Sequence, residues 1–587
     1  MKTQKTAEST QNKLILPIFA VLGALFGSGA IIGITVLSTP ALQWLLLKAL
    51  LPEYAVCFAV LCVFILGYGS ICKPIAYLTL PIACLACGVR TTFASAPYSR
   101  PLVIALIFTV LCAACTLASL WALRSFPEPI KKSDKKIPAS VYAIALTALA
   151  AALSLALYTI LLHSRLQTLQ TGNTEQAAVG QMLYFMQHSG KPFTTLLAGE
   201  AQSYFATQFA PLWYLILPVY ILSGHSMLAV GVALYTLMLT ALVPLWRICQ
   251  RHALSPWQSA VICAACALCP LVVGGGASGG ALSMLALPLI LWIADAYAGK
   301  HPYLALIPTV LCLCIGVEVS VWTCFICLYL ALSAPRERRR VGIVCTAVSF
   351  AVTAATAIYL AIMGSPVITE LFSGIGLQAG QKLLFLLLLL VPFALLPLLC
   401  KQKSALALLF PLVLFHLIAN ASVYSGVFCT YAFPAVAVVA LLSVKGASSL
   451  RTEIKGVSLS RLLPAAALCT ALLLTTPYAA TLHGLYVRTD EQAETDAACM
   501  HELLDALPDN AAVSASDSLL AALHDRTWLF SLDASPEAPA TNVVVIDLRE
   551  DITTSDTAQY GIAYYKSLGY TLRDDLSREG ILAVLFK

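Results

Sequence analysis

The sequence predicts an all-α polytopic membrane bundle of about 15 passes, followed by a small C-terminal extracytoplasmic α/β domain. Three observations carry this. Of 587 residues, 59% are hydrophobic and only 11% charged, where soluble domains carry roughly 25% charged residues. Apolar runs of about 20 residues, the length that crosses a bilayer, recur along the chain. From about Asp490 those runs stop and polar segments with short β-branched stretches begin. The net charge of +6 lies mostly in short loops, where it sets topology and does not mark a nucleic-acid partner.

Residues 1–13 are polar with three lysines, and the run from Leu14 to about Leu37 is long enough to span. No clean cleavage site follows, so this reads as a retained first helix that starts in the cytoplasm. Further spans fall near 43–67, 74–89, 101–123 and 138–162, and Lys131, Lys132, Lys135 and Lys136 mark a cytoplasmic loop before the fifth. The fifth span exits near His163, which makes 164–208 an outer loop. Residues 209–222, broken by Pro211 and Pro218 and rich in aromatics, read as an interfacial or re-entrant helix.

The span near 226–246 ends inside at Arg247 and Arg251. A hairpin of spans near 256–273 and 281–297 has a Gly-rich outer turn, Gly274–Gly280, and returns to Lys300 and His301. Residues 303–333 begin and end beside inside charges, so they read as two half-depth helices meeting near Glu318. Spans near 341–363, 381–399, 404–420, 427–444 and 460–481 complete an odd number of passes and put the C-terminus outside. The expected organisation is an N-terminal four-helix extension (1–137), a membrane core (138–483) and an extracytoplasmic domain (490–587). Within that domain helices are expected at 492–506, 517–523 and 555–567, and strands at 511–514, 527–530, 542–548, 570–574 and 581–586.

Charge inside an apolar body is costly, so Glu318, between Val317 and Val319, is the first candidate for chemistry. It contacts substrate or ion, or else pairs for structure. The outer loop offers Glu175, Gln181, His188, Lys191, Glu200 and Gln208. Glu175 lies just beyond the fifth span, where a carboxylate can take a proton from a hydroxyl or bind a divalent cation such as Mg or Mn; the bland alternative is a solvated loop charge. His416 and Asn420 share a face near the outer end of a span, with Tyr424 and Tyr431 following. Most of the 20 cysteines lie in apolar runs and read as small soft packing residues, although several have CxxC spacing. No HExxH, P-loop or GxSxG occurs, and the Gly-rich turn follows no strand.

Several segments, in order, resemble a bacterial membrane family known as domain of unknown function 2079, grouped with the GT-C glycosyltransferases. TEQAAVGQMLYFMQHSGKPF (174–193) is similar to its acidic, Gln- and aromatic-rich loop helix, with Glu175 at an Asp position and Gln181 at a Gln position. QFAPLWYLILPVY (208–220) resembles its HFSP segment, Gln208 replacing His. GASGGALSMLALP (276–288) lacks the His and Glu usual there. IGVEVSV (315–321) keeps one acid, Glu318, of a Lys-Glu-Asp stretch, and TYAFP (430–434) has Thr430 for His beside Tyr431. DNAAVSASDSLLAALHDR and VVVIDLRED resemble the C-terminal part. The likeness covers roughly residues 140–587.

That resemblance implies a GT-C-like fold and transfer of sugar from a polyprenyl-phosphate donor, at the outer face, to an envelope glycan or lipid. By it Glu175 is the base or metal contact and Glu318 shapes the acceptor or phosphate side. Gln181, Gln208 and Tyr431, which fall in the matching segments, line the substrate; His416, outside them, is a further substrate candidate or else a His hydrogen-bonded between helices, and Lys191 is the phosphate partner by charge alone. Two rival readings stand beside it. A non-catalytic envelope protein anchoring the outer domain predicts Glu318 packed against a basic partner. A transporter predicts two related halves with broken helices.

Overall fold

The computed structural model describes residues 139–169, 174–197, 201–277, 281–365, 379–393, 395–419, 430–449, 453–454, 457–458, 491–532, 541–549 and 561–587. The expected spans before residue 124, the Lys131–Lys136 loop, the 460–481 span, Asn420 and Tyr424 lie outside these residues.

Helix α1 (Ala139–Thr168) is 30 residues long and runs well past the expected end near 162. The loop that follows is built, not open. It holds α2 (Thr174–Ser189), a two-residue hairpin of β1 (Phe193–Thr194) and β2 (Gln202–Ser203), and a 3-10 turn, Tyr204–Ala206. Next comes α3 (Trp213–Leu222), which carries Pro218 and exposes Leu215 and Leu222, as an interfacial helix does.

Helices α4 (Met227–Leu239) and α5 (Leu242–Arg251) continue one another across a bend. α6 (Pro256–Ala267) starts on a capping box, with Ser255 and Gln258 satisfying each other's backbone N–H and Pro256 in the first turn. α1, α4 and α6 pack through small and hydroxyl side chains. Ser154 donates to the Ala267 carbonyl at 2.6 Å and shares a hydrogen bond with Tyr235, whose ring stacks on Tyr158. Gly231 leaves room for the side chains of Leu162 and Tyr158, since any Cβ there would fall 2.5 Å from the Leu162 methyl.

α6 with α7 (Pro270–Ala277), and then α8 (Ala286–Ala298), fall on the two arms expected at 256–273 and 281–297. A 3-10 turn and α9 (Leu306–Leu313) then run back, the helix stops over Cys314–Gly316, and α10 (Val317–Ser333) departs from that break. The break falls where the charge pattern puts it. The second arm is not half-depth, however. Its 17 residues extend about 25 Å at 1.5 Å per residue, most of a bilayer core. α11 (Arg336–Ile362) packs closely on α10, since a Cβ on Gly342 would lie 2.8 Å from the Ala331 backbone. α12 (Ala379–Leu390), α13 (Lys403–Ile418) and α14 (Phe433–Ser449) follow. α13 is not the uniform span expected at 404–420. It passes from 3-10 through one α turn into a π-helix at Val413–Ile418. Four described helices are long and apolar enough to cross a membrane, and shorter apolar helices accompany them.

The C-terminal unit opens with α15 (Glu491–Asp505). Its sheet contains β3 (Val513–Ala515), β4 (Leu529–Ser531), β5 (Val543–Asp547), β6 (Thr571–Leu572) and β7 (Leu582–Phe586). Their order is β4-β3-β5-β7-β6, parallel through β4, β3 and β5 and antiparallel beyond. β5 is central and wholly buried, which is why it reads as a continuous β-branched run. The helix expected at 517–523 is one 3-10 turn, Leu520–Ala522, and of the helix expected at 555–567 the described part is α16 (Ile562–Ser567).

This sheet is not tethered loosely. Met500, Leu504, Val513 and Leu529 belong to the same apolar core as α1, α2 and α4. Arg549, buried, pairs with Asp547 at 2.6 Å and donates to the carbonyls of Thr168 and Leu169 at 3.0 and 2.6 Å, satisfying the end of α1.

Candidate functional site

The site forms where the built loop meets the helix break. The Leu212 backbone N–H donates to the Cys314 carbonyl at 3.1 Å, and Ser365 donates to the Thr207 carbonyl at 2.9 Å. These bonds seat the Tyr204–Gln208 turn against the break. Gly316 begins α10, and Glu318 lies in its first turn, at the positive end of the helix dipole. Glu318 is 4% exposed. A Cβ on Gly316 would lie 3.2 Å from Glu318 Oε2 and 3.5 Å from Gln208 Nε2, so these two polar groups flank one bare backbone position.

Tyr204, buried, donates its phenol to Gln208 Oε1 at 2.9 Å. Its phenol is held well above the ordinary range, first by burial and then by the carboxylates of Glu175 and Glu318. Glu318 is also within electrostatic reach of Glu175. Glu175 occupies the first turn of α2. Its side chain stays accessible to water, yet protein surrounds the carboxyl closely enough to raise its pKa, while Arg165 pulls the other way. Among the described residues no ion pair is made to Glu318.

Arg165 is the residue that sequence reasoning misses. Ending the fifth span near 162 leaves it in a loop; in the structure α1 continues, and Arg165 stands buried in its last turn beside Glu175. Tyr204 is missed too, since no motif marks it. Lys382, buried on α12, donates to the Leu417 carbonyl at 2.9 Å, where the π-helix leaves backbone oxygens open.

The other expected residues spread out. Gln181 is fully buried and its amide is engaged throughout. It accepts from Thr194 and the Thr195 backbone at 2.7 and 2.9 Å, and donates to Thr195 and the Arg526 carbonyl at 2.9 and 3.1 Å. It is a strut between α2, the hairpin and the C-terminal sheet. Lys191 is exposed and lies over the Phe193 ring at 5.6 Å, so the cation beside Glu175 is Arg165 instead. His416 is buried on the π-helix, stacked on Phe385 at 4.2 Å and 6.2 Å from Trp322, one turn beyond Glu318. Tyr431 is half-buried at the start of α14, packed against the apolar core.

Among the described residues no three His, Cys, Asp or Glu side chains gather as a metal cage. Glu175 and Glu318 are the carboxylates that would hold Mg²⁺, an ion usually bound by one or two acids with substrate phosphate completing the shell.

The family model described as "Predicted membrane protein (DUF2079)" matches residues 165–562. Two crystal structures of ArnT from Cupriavidus metallidurans, one bound to undecaprenyl phosphate and one in the apo state, are similar in chain path. Each is 13% identical with a TM-score of 0.48, covering 76% of this chain and 98% of that one. No curated protein matches the chain.

Proposed function

We propose that this chain, which belongs to the DUF2079 family of membrane proteins, transfers a sugar from a polyprenyl-phosphate donor to a hydroxyl acceptor at the recess between Glu175 and Glu318. The observation that supports this reading most is that Glu175 and Glu318 both act on Tyr204, which holds Gln208 against the break, while Arg165 acts on Glu175. A cation beside one acid and a second acid at a helix start supply the two opposite needs of the reaction, a proton acceptor and a place for an anion.

In this reading the acceptor oxygen forms a bond to the anomeric carbon. The bond from that carbon to the phosphate oxygen breaks, and its electron pair leaves with the polyprenyl phosphate. Glu175 takes the hydroxyl proton. Arg165 offsets the charge of Glu175 before that transfer and of the departing phosphate after it. Glu318 and the Gln208 amide, held by Tyr204, orient the acceptor from the break. Glu175 and Glu318 would hold a divalent cation, whose chemistry there would be charge neutralisation on the leaving group.

In this reading the N-terminus is inner and the chain makes about 15 passes, so the Glu175–Glu318 site and the C-terminal unit fall together on the outer side. In the same reading 138–483 is the membrane core, 490–587 an extracytoplasmic domain and 1–137 an N-terminal extension. The transporter reading needs a second broken element, and none beyond the 314–316 break carries a buried acid among the described residues.

The test is purified protein in lipid, supplied with labelled polyprenyl-phosphate sugars. Transfer by wild type and its loss in Glu175→Gln support the reading. Equal transfer by both removes Glu175 as the base, and absence of turnover with every donor favours the non-catalytic envelope protein.

A further inference from the structure

At the other end of the bundle lies a second arrangement that glycosyl transfer does not use. Arg338 donates to the Ala298 carbonyl at 2.7 Å, which places the end of α10 beside the end of α8. Glu318 is at the opposite end of α10, about 25 Å away by helix rise. Between α5, α8 and the Pro302–Leu313 arm is a cavity of about 700 Å³, within the range that holds small ligands.

Its chemistry is divided. Asp295, 1% exposed, ion-pairs with Arg247 Nε and Arg251 Nη2, each at 3.1 Å. One arginine would neutralise one carboxylate; two leave a net positive charge at the rim. Arg247 is half exposed and meets Asp295 through its Nε, while its guanidinium lies over the Trp292 ring at 5.5 Å. Lys300, also exposed at the rim, makes no ion pair among the described residues. Below this rim the wall is apolar, running from Trp292 through Ile307 to Leu311. Pro302–Leu313 carries that wall toward the membrane centre, and Ile307 is 61% exposed along it.

A free inorganic anion would use the rim and leave the apolar wall wet. A neutral lipid would use the wall and leave the surplus charge unmet. We infer that this cavity binds an anionic phospholipid, its headgroup phosphate on Arg247 and Lys300 and an acyl chain along Trp292, Ile307 and Leu311. Basic recesses between membrane helices hold acidic lipids by this combination of charge and apolar depth. The inference does not depend on the glycosyl-transfer reading.

The full-length protein, purified in detergent and supplied with phosphatidylglycerol or phosphatidylcholine micelles, tests it by native mass spectrometry and thermal melting. We expect about one retained phosphatidylglycerol per chain, a higher melting temperature with phosphatidylglycerol than with phosphatidylcholine, and no protection by inorganic phosphate. Lys300→Ser and Ile307→Trp leave the Asp295 ion pairs intact, and each should weaken phosphatidylglycerol retention by about tenfold. Unchanged retention in both variants overturns the site. Equal retention of the two lipids, or protection by inorganic phosphate alone, overturns the assignment of its occupant.

Discussion

The Tyr204 phenol donates to Gln208 Oε1 at 2.9 Å, and this turns the Gln208 amide nitrogen toward Gly316 and the Glu318 carboxyl. One loop tyrosine thereby ties this turn to a charged group at a helix break.

That arrangement makes Gly316 sensitive to a single methyl group. A Cβ there would press on Glu318 Oε2 at 3.2 Å, tighter than ordinary van der Waals contact. Gly316→Ala should lower transfer by about tenfold, since errors near 1 Å in a reacting geometry reach ~100-fold. Thermal melting should stay near wild type. A parallel collapse of folding would show that Gly316 serves packing alone.

The pH profile of transfer follows from the sign of the Glu175 shift. Its carboxyl is raised above the ordinary value by burial, against Arg165. A base acts only when ionised, so activity should fall as pH drops through that raised value, higher than a free glutamate would give. Arg165→Gln removes the opposing charge and should move the acid limb further up. A limb that stays put would separate Arg165 from the base.

Gln181 should matter for stability more than for chemistry. Gln181→Ala strands buried partners in Thr194, Thr195 and the Arg526 carbonyl, a loss of about 3 kcal/mol. Limited proteolysis should then cut between α2 and the sheet faster than in wild type. Unaltered protease resistance would contradict its role as a strut.

His524 gives the same junction a pH response. Its ring packs on Gly180, accompanied by Tyr220, and shares a hydrogen bond with the His225 carbonyl at 3.1 Å. Burial lowers its pKa, with the His225 ring adding to that, while Asp525 and the carbonyls of Ala521 and His225 act oppositely. The folded state thus favours neutral His524. Its contribution is present above the unfolded value of about 6.5 and is lost as pH falls toward the lower folded value. Hydrogen exchange in α2 and the β4 strand should quicken between pH 7.5 and 5.5, and His524→Gln should flatten that dependence.

Much of this site is legible along the chain, for physical reasons. Glu318 stands out because an acid in an apolar run is costly, and the flanking inside charges force a break near it. The C-terminal strands announce themselves by β-branched runs, since β5 is buried on both faces. Arg165 does not stand out, because a helix that continues beyond the bilayer into a folded loop looks, in composition, like a span that has ended. Gln181 sits at a position that resembles a substrate contact, and only its partners from the hairpin and the distant sheet reveal a strut. The π-helix around His416 leaves no local signature, since its bulge depends on what packs against it.

The central claim is that Glu175 and Glu318 act on one bound substrate. A double-mutant cycle on sugar transfer in reconstituted protein tests it most directly, with Glu175→Gln, Glu318→Gln and the pair together. Residues that serve one transition state are not additive. The pair should therefore lose little more activity than the worse single variant. Losses that multiply independently, or a Glu318→Gln protein as active as wild type, would contradict a shared site.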